Sequence, residues 1–274
     1  MTIADWERVI DQSVSLGAAT LQFIGGEPTL HPGLRRLVSH ALARGVEVEV
    51  FTNLVRVSPQ MWETFARPGV RLATSWYSDD PDEHARITGR PSHDRTKAAI
   101  AEALRRGIPL RVGIIGVREG QRVDQAAAML ADMGVPQIGY DDLRQVGRGV
   151  RDTEPGPDQL CGNCADGVLA ISADGAVWPC VFSRWMTVGN VLEQPLAEIL
   201  AGRARAARAE LGRFFAARAG ATGACRPDRD ANCGPKRSCY PDCNPSPCQP
   251  QCAPRCGPSC NPCAPSRRCW PSYR

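Results

Sequence analysis

The thirteen cysteines of this 274-residue chain fall into two settings, and they are its first chemical clue. Cys161-Gly-Asn-Cys164 is a tight C-x-x-C loop, and Cys180 follows a hairpin signal, Asp174-Gly175, set between apolar runs. Thiolates from such a loop and from across a hairpin can converge on one centre, as an iron–sulfur cluster or zinc requires. The spacing leaves both metals open, because three thiolates plus any fourth ligand suffice for structural zinc. A second feature is Ile24-Gly25-Gly26-Glu27-Pro28. Two glycines remove side chains so that a ligand can approach the backbone, and Glu27 offers a carboxylate to a cation such as an ammonium group.

These residues need elements to position them. From residue 2 to about 146, helical periodicity alternates with short β-rich runs. Helices are expected over Thr2–Leu16 (Thr2 and Asp5 as start signals), Gly33–Ala43, Ser58–Phe65, Ser92–Arg106 and Val123–Met133. Strands are expected over Thr20–Ile24, Val46–Phe51, Val70–Trp76, Leu110–Ile115 and Gln137–Asp141. Strict alternation implies a parallel sheet with right-handed crossovers. The fold class is therefore α/β. Gly25 to Glu27 sit where a strand gives way to a helix, the rim at which barrel chemistry occurs. The pattern opens on a helix, where a βα barrel begins with a strand.

Residues 1–150 are thus read as one α/β domain and 151–200 as a small cysteine-bearing region, entered through a linker at 151–160. Residues 201–224 form an Ala/Arg-rich helix, read as a solvated face, with a docking surface for an acidic peptide leader as the sharper alternative. In 225–274, ten residues are Cys and eleven Pro, so no apolar core can form there without a metal or cross-link. The net charge of +4 has basic and acidic residues interspersed, which argues against a nucleic-acid partner. No stretch approaches eighteen uncharged apolar residues, and the start, Met-Thr-Ile-Ala-Asp-Trp-Glu-Arg, carries acids and no apolar run. Neither a membrane span nor a secretory signal is expected. A cytoplasmic setting follows, where thiolates more often bind metal than pair as disulfides.

The run Gly25-Gly26-Glu27-Pro28-Thr29-Leu30-His31-Pro32 resembles the radical S-adenosylmethionine (SAM) superfamily, whose second strand ends in Gly-Gly-Glu-Pro. Thr52-Asn53, Ser75-Trp76-Tyr77, His84 through Gly89, Ile114-x-Gly116-x-x-Glu119 and Arg144-x-Val-Gly147-x-Gly149 follow in the order of that family's later motifs. Val112 stands where the family's adenine-binding strand has glycine. Cys161, Cys164, Gly175-x-x-x-x-Cys180 and Val188-Gly189-Asn190 resemble its SPASM or twitch auxiliary domain.

The resemblance implies an incomplete (β/α)6 radical-SAM barrel, strands two to six, with a small Cys-rich auxiliary domain. It implies that Gly25, Gly26, Glu27 and Pro28 hold the methionyl amino group, with Asn53 and Ser75 near the carboxylate or ribose and Gly116 on the adenine strand. An auxiliary [4Fe–4S] cluster would be bound by Cys161, Cys164 and Cys180, with a fourth ligand from Cys225 or Cys233. The implied activity is formation of a 5′-deoxyadenosyl radical that modifies a ribosomally made peptide, with an electron-donor protein as second partner. The superfamily's C-x-x-x-C-x-x-C loop is absent, since no cysteine precedes Cys161. No catalytic residue is assigned, and the expectation is that the polypeptide starts at an internal methionine and does not cleave SAM as given. The competing reading is a non-catalytic barrel remnant holding zinc or a single cluster.

Overall fold

The computed structural model describes residues 1–150 and 154–222. It divides into two compact units that meet between Leu143 and Arg144. The first holds five parallel strands in the order of the chain: β1 (Thr20–Phe23), β2 (Glu47–Phe51), β3 (Val70–Trp76), β4 (Leu110–Gly116) and β5 (Gln137–Asp142). Sequential order without reversal is the wall of a βα barrel. A doubly wound sheet would reverse at a switch point.

Helices α1 (Ile3–Ser15), α2 (Leu34–Ala43), α3 (Pro59–Phe65), α4 (Pro81–Thr88), α5 (His93–Arg105) and α6 (Val123–Asp132) alternate with these strands. Local chemistry sets their ends. At α1, Thr2 accepts from the Asp5 N–H while the Asp5 carboxylate takes the Thr2 N–H, a reciprocal cap. Ser58 caps α3 ahead of Pro59. Helix α4 lies outside the helices expected from periodicity. It is specified by Asp80 capping the Glu83 N–H at 2.6 Å, Pro81 at the first position, and Gly89 at φ 70° as the stop.

The two faces of the sheet differ in chemistry. Val48, Val50, Leu72, Val112 and Ile114 belong to one buried cluster with Leu37, Val38, Ala41, Phe65, Ile100, Ala103, Ala126 and Leu130 of the helices. Side chains alternate along a strand, so the neighbours Glu49, Arg71 and Arg111 occupy the opposite face. Glu49 is 4% exposed. Both its oxygens meet the Arg111 guanidinium at 2.7 Å, Arg71 lies at 3.3 Å, and Gln22 donates to it. Buried parallel strands are usually apolar on both sides. The alternating Glu-Val-Glu-Val of β2 thus marks a face built for polar contents. Burial raises the Glu49 carboxyl, and the Arg111 hydrogen bonds outweigh it, so the net displacement is downward.

Trp76 closes β3 fully buried, with its ring 4.7 Å from the His84 ring and 4.9 Å from the His93 ring. Trp76 Nε1, His84 Nδ1 and His93 Nε2 are buried without a hydrogen-bond partner among the described residues. Burial, reinforced by the neighbouring His93, pushes His84 down to about 4.

The second unit contains a three-stranded antiparallel sheet of β6 (Ala170–Ile171), β7 (Ala176–Trp178) and β8 (Gly189–Asn190), then α7 (Leu196–Ile199), a π-helical turn at Leu200–Ala204, and α8 (Arg205–Thr222). Gly175 makes the β6–β7 turn at φ 88°. A Cβ there would run into the Asn190 side chain and come within 2.9 Å of Leu192 Cγ. Two expectations need revision. The described part of the linker folds as a 3-10 turn at Pro157–Gln159, with Gln159 and Leu160 buried. Helix α8 is not a purely solvated rod, because Ala204, Ala207, Leu211 and Phe215 form a buried stripe spanning its start and the π turn.

Candidate functional site: a strand-end carboxylate and a buried thiol pair

Glu27 stands just beyond β1, capping the short 3-10 turn Pro28–Leu30. Oε1 accepts from the Thr29 N–H at 3.0 Å, the Thr29 hydroxyl at 2.8 Å and the Thr52 hydroxyl at 2.6 Å; Oε2 accepts from the Asn53 N–H at 2.8 Å. The carboxylate therefore bridges the ends of β1 and β2. A carboxylate offers about four acceptor positions, two per oxygen. Oε2, with one donor among the described residues, keeps capacity for an incoming cation. Gly25 and Gly26 turn at φ 101° and 41°. A Cβ on either would meet nothing within 4 Å, so the left-handed backbone, not crowding, calls for glycine, and the space beside the turn is open.

The other residues singled out on this unit are placed as follows. Pro28 is buried and opens the 3-10 turn. The Asn53 side chain is exposed, accepts from the Val55 N–H, and the Asn53 carbonyl takes the Thr96 hydroxyl at 3.0 Å. Ser75 is half-buried and pairs in register with Gly113. Gly116 ends β4, where a Cβ would come within 3.0 Å of Asp142 Oδ1. Thr29 and Thr52 were missed as members of the site, although both sit beside residues that were chosen. Also missed was the fastening between the loops after β3 and β4. Glu83, 4% exposed, takes the Ser78 hydroxyl at 2.7 Å, Arg118 at 2.6 Å and the Arg122 N–H at 3.1 Å, while Gln121 donates to the Tyr77 and Ile115 carbonyls.

In the second unit Cys164 and Cys180 are buried with sulfurs 3.2 Å apart. The Cys164 thiol donates to the Cys180 sulfur, and the Phe182 N–H points at that same sulfur from 3.4 Å. The Cys164 hydrogen bond, with help from Phe182 and Ser183, holds the Cys180 thiol low against burial. The same bond and burial push Cys164 up. Ala165, in the left-handed region at φ 54°, ties the C-x-x-C loop to the hairpin through its N–H to the Pro179 carbonyl at 2.8 Å. Cys161 is exposed, and no group of three His, Cys, Asp or Glu side chains gathers as a metal cage among the described residues. Cys225 and Cys233 lie outside the described residues, as does the whole 225–274 segment. Two buried sulfurs in contact, one with an N–H directed at it, are nevertheless a donor set suited to a thiolate-bound centre.

Comparison with known proteins gives the arrangement a class. Residues 1–133 match the family model of the radical SAM superfamily, and residues 161–244 match that of the SPASM iron–sulfur cluster-binding domain. The chain thus carries a radical SAM domain followed by a SPASM region; the two models imply SAM and iron–sulfur clusters as cofactors. Over 153 residues it is 29% identical to a PqqA peptide cyclase from Streptomyces rochei, covering 55% of this chain and 42% of the relative. It therefore spans less than half the length of that protein. Among solved structures, Streptococcus suis SuiB has the same fold with a TM-score of 0.62 at 16% identity, covering 75% of this chain and 61% of SuiB. The AdoMet-bound anSMEcpe reaches a TM-score of 0.58 at 12% identity, covering 76% and 73%. These likenesses bear out the incomplete barrel. No helix among the described residues is long and apolar enough to cross a membrane.

Proposed function

We propose that this chain is the SAM-binding and auxiliary-cluster part of a radical SAM enzyme that modifies a ribosomally made peptide. The observation that carries the reading is the Glu27 carboxylate, held by Thr29, Thr52 and Asn53 across two strand ends with an acceptor position left over. In this reading Gly25, Gly26, Glu27 and Pro28 receive the methionyl ammonium, Asn53 and Ser75 flank the carboxylate or ribose, and Gly116 keeps the adenine strand open. Cys161, Cys164 and Cys180 ligate an auxiliary [4Fe–4S] cluster, with Cys225 or Cys233 as fourth ligand. Bound SAM, given one electron by a reduced cluster of the whole enzyme, would supply the hydrogen-abstracting chemistry by parting into methionine and a 5′-deoxyadenosyl radical. The polypeptide itself holds the ammonium at an open strand-end rim and presents a polar sheet face to the substrate.

A peptide substrate is supported by a relative named as a PqqA peptide cyclase and by SuiB having been solved bound to its precursor peptide SuiA. An electron-donor protein completes the partners, and the cytoplasm is the compartment in which thirteen cysteines stay available to metal. Saturation-transfer NMR with SAM, which detects weak binding, tests the site. A hydrogen bond to a charged group contributes about 1.5–3 kcal/mol, so Glu27→Ala is expected to weaken SAM binding about tenfold or more. Equal affinity in both proteins would refute the pocket.

A further inference from the structure

We infer that Arg208 is the positioning residue of the metal centre in the second unit, with α8 as the wall that closes that centre from water. The inference rests on the auxiliary-cluster reading above.

The face of α8 that carries Leu211 and Phe215 packs in one buried cluster with Leu160, Cys164 and Cys180, and Phe182, Met186 and Phe214 fill its margin. A surface helix would complete such a stripe with another apolar residue. Here Arg208 lies one residue after buried Ala207 and three before buried Leu211. Its guanidinium reaches the C-x-x-C loop twice. Nη1 donates to the Gly162 carbonyl at 2.6 Å and Nη2 to the Asp166 carboxylate at 2.8 Å.

The Asp166 contact alone would carry little, since Asp166 is largely exposed and such pairs contribute about 0–1 kcal/mol. The Gly162 contact differs in kind. That carbonyl lies between the two cysteines of the loop, on a glycine at φ 94°, so the bond fixes the backbone from which Cys161 and Cys164 project. A planar fork that spans two acceptors does this in one geometry, whereas an ammonium is a point charge on a flexible stem. The guanidinium also brings a fixed positive charge to a thiolate site walled by Leu211 and Phe215. A thiolate-bound cluster gains negative charge on reduction, so the cation favours the reduced state and raises the potential. Position and charge are separable effects of one side chain.

The test uses the full chain, reconstituted anaerobically with iron and sulfide, and the variants Arg208→Met, Arg208→Lys and Cys164→Ala. The centre is identified as the EPR signal lost in Cys164→Ala. Loss of outer-shell partners typically lowers metal affinity 10–100-fold. Arg208→Met is expected to release iron to a chelator about tenfold faster than the parent, with a midpoint potential shifted negative. Arg208→Lys, which keeps the charge and loses the fork, is expected to release iron as fast as the Met variant with a potential near the parent's. This split between kinetics and potential is not what a merely structural salt bridge would give. Parent-like release and potential in Arg208→Met would overturn the inference and leave the cluster reading intact. If Arg208→Met does not fold, Arg208→Lys decides, and slow, parent-like release there would overturn the inference. A parent chain that takes up zinc and no sulfide would overturn the cluster reading itself.

Discussion

The Trp76–His84–His93 cluster gives the first unit a pH dependence whose size can be worked out. His84 is 2% exposed, and its folded value of about 4 lies below the ordinary 6.5 because burial disfavours the imidazolium and His93 adds repulsion. As pH falls below 6.5, the unfolded chain takes up this proton and the folded chain does not. Stability is therefore full above 6.5, declines from 6.5 toward 4, and levels off below 4 as far as this group is concerned. At about 1.4 kcal/mol per unit of displacement, the loss between about pH 8 and pH 5 is about 2 kcal/mol, approaching about 3 kcal/mol near pH 4. Paired carboxylates such as Glu49 and Glu83 are held low, so their contribution is lost only as pH drops below about 4.5. The window between 5 and 6.5 thus isolates histidine. The perturbation is His84→Leu, and the assay is urea unfolding followed by circular dichroism at several pH values. Replacing the imidazole costs a constant amount at every pH, so the readout is the difference in slope. The parent should lose about 2 kcal/mol more than the variant on going from pH 8 to pH 5. Parallel pH profiles would refute the reasoning and show that His84 takes up its proton as readily in the folded chain as in the unfolded one.

Glu49→Leu strips Arg111 and Arg71 of their shared carboxylate on the polar face and should lower stability by about 3–5 kcal/mol in urea unfolding, as loss of one partner of a buried ion pair does. Gly175→Ala forces a side chain into the left-handed region and against Asn190 and Leu192, and should cost the second unit about 1–3 kcal/mol, read as an earlier thermal transition. Thr52→Val removes the 2.6 Å bond to Glu27 while keeping the shape of the side chain; SAM binding by NMR should weaken, and by less than in Glu27→Ala, because the Asn53 N–H still holds Oε2.

Much of the barrel wall was legible because its signals are local. Thr2 and Asp5 announce the reciprocal cap, Val70–Trp76 has the strand composition its place requires, and Gly25-Gly26 declares a left-handed turn before any coordinate is known. Helix α4 was equally announced by Asp80, Pro81 and Gly89 and was lost because its sequence carries too few apolar residues to show a period, whereas the shorter α3 shows one through Met61, Trp62 and Phe65. The site's support was harder to see. Nothing in the sequence says that Thr52 reaches Glu27 across 25 residues, since that contact exists only once β1 and β2 lie side by side. The stripe at 204, 207, 211 and 215 was readable by spacing, yet alanine and arginine diluted it into a helix that looked solvated. What joins Arg208 to Gly162 is tertiary, and composition carries no trace of it.

Because four donors immobilise the Glu27 carboxylate before any ligand arrives, a cation entering there meets an anion that has already surrendered its rotational freedom. Little reorganisation remains to be spent on arrival, so discrimination among rival ammonium compounds falls to the contour of the rim. A loosened carboxylate would reward any positive charge that drifted by; a clamped one rewards only the guest whose charge sits at the right spot.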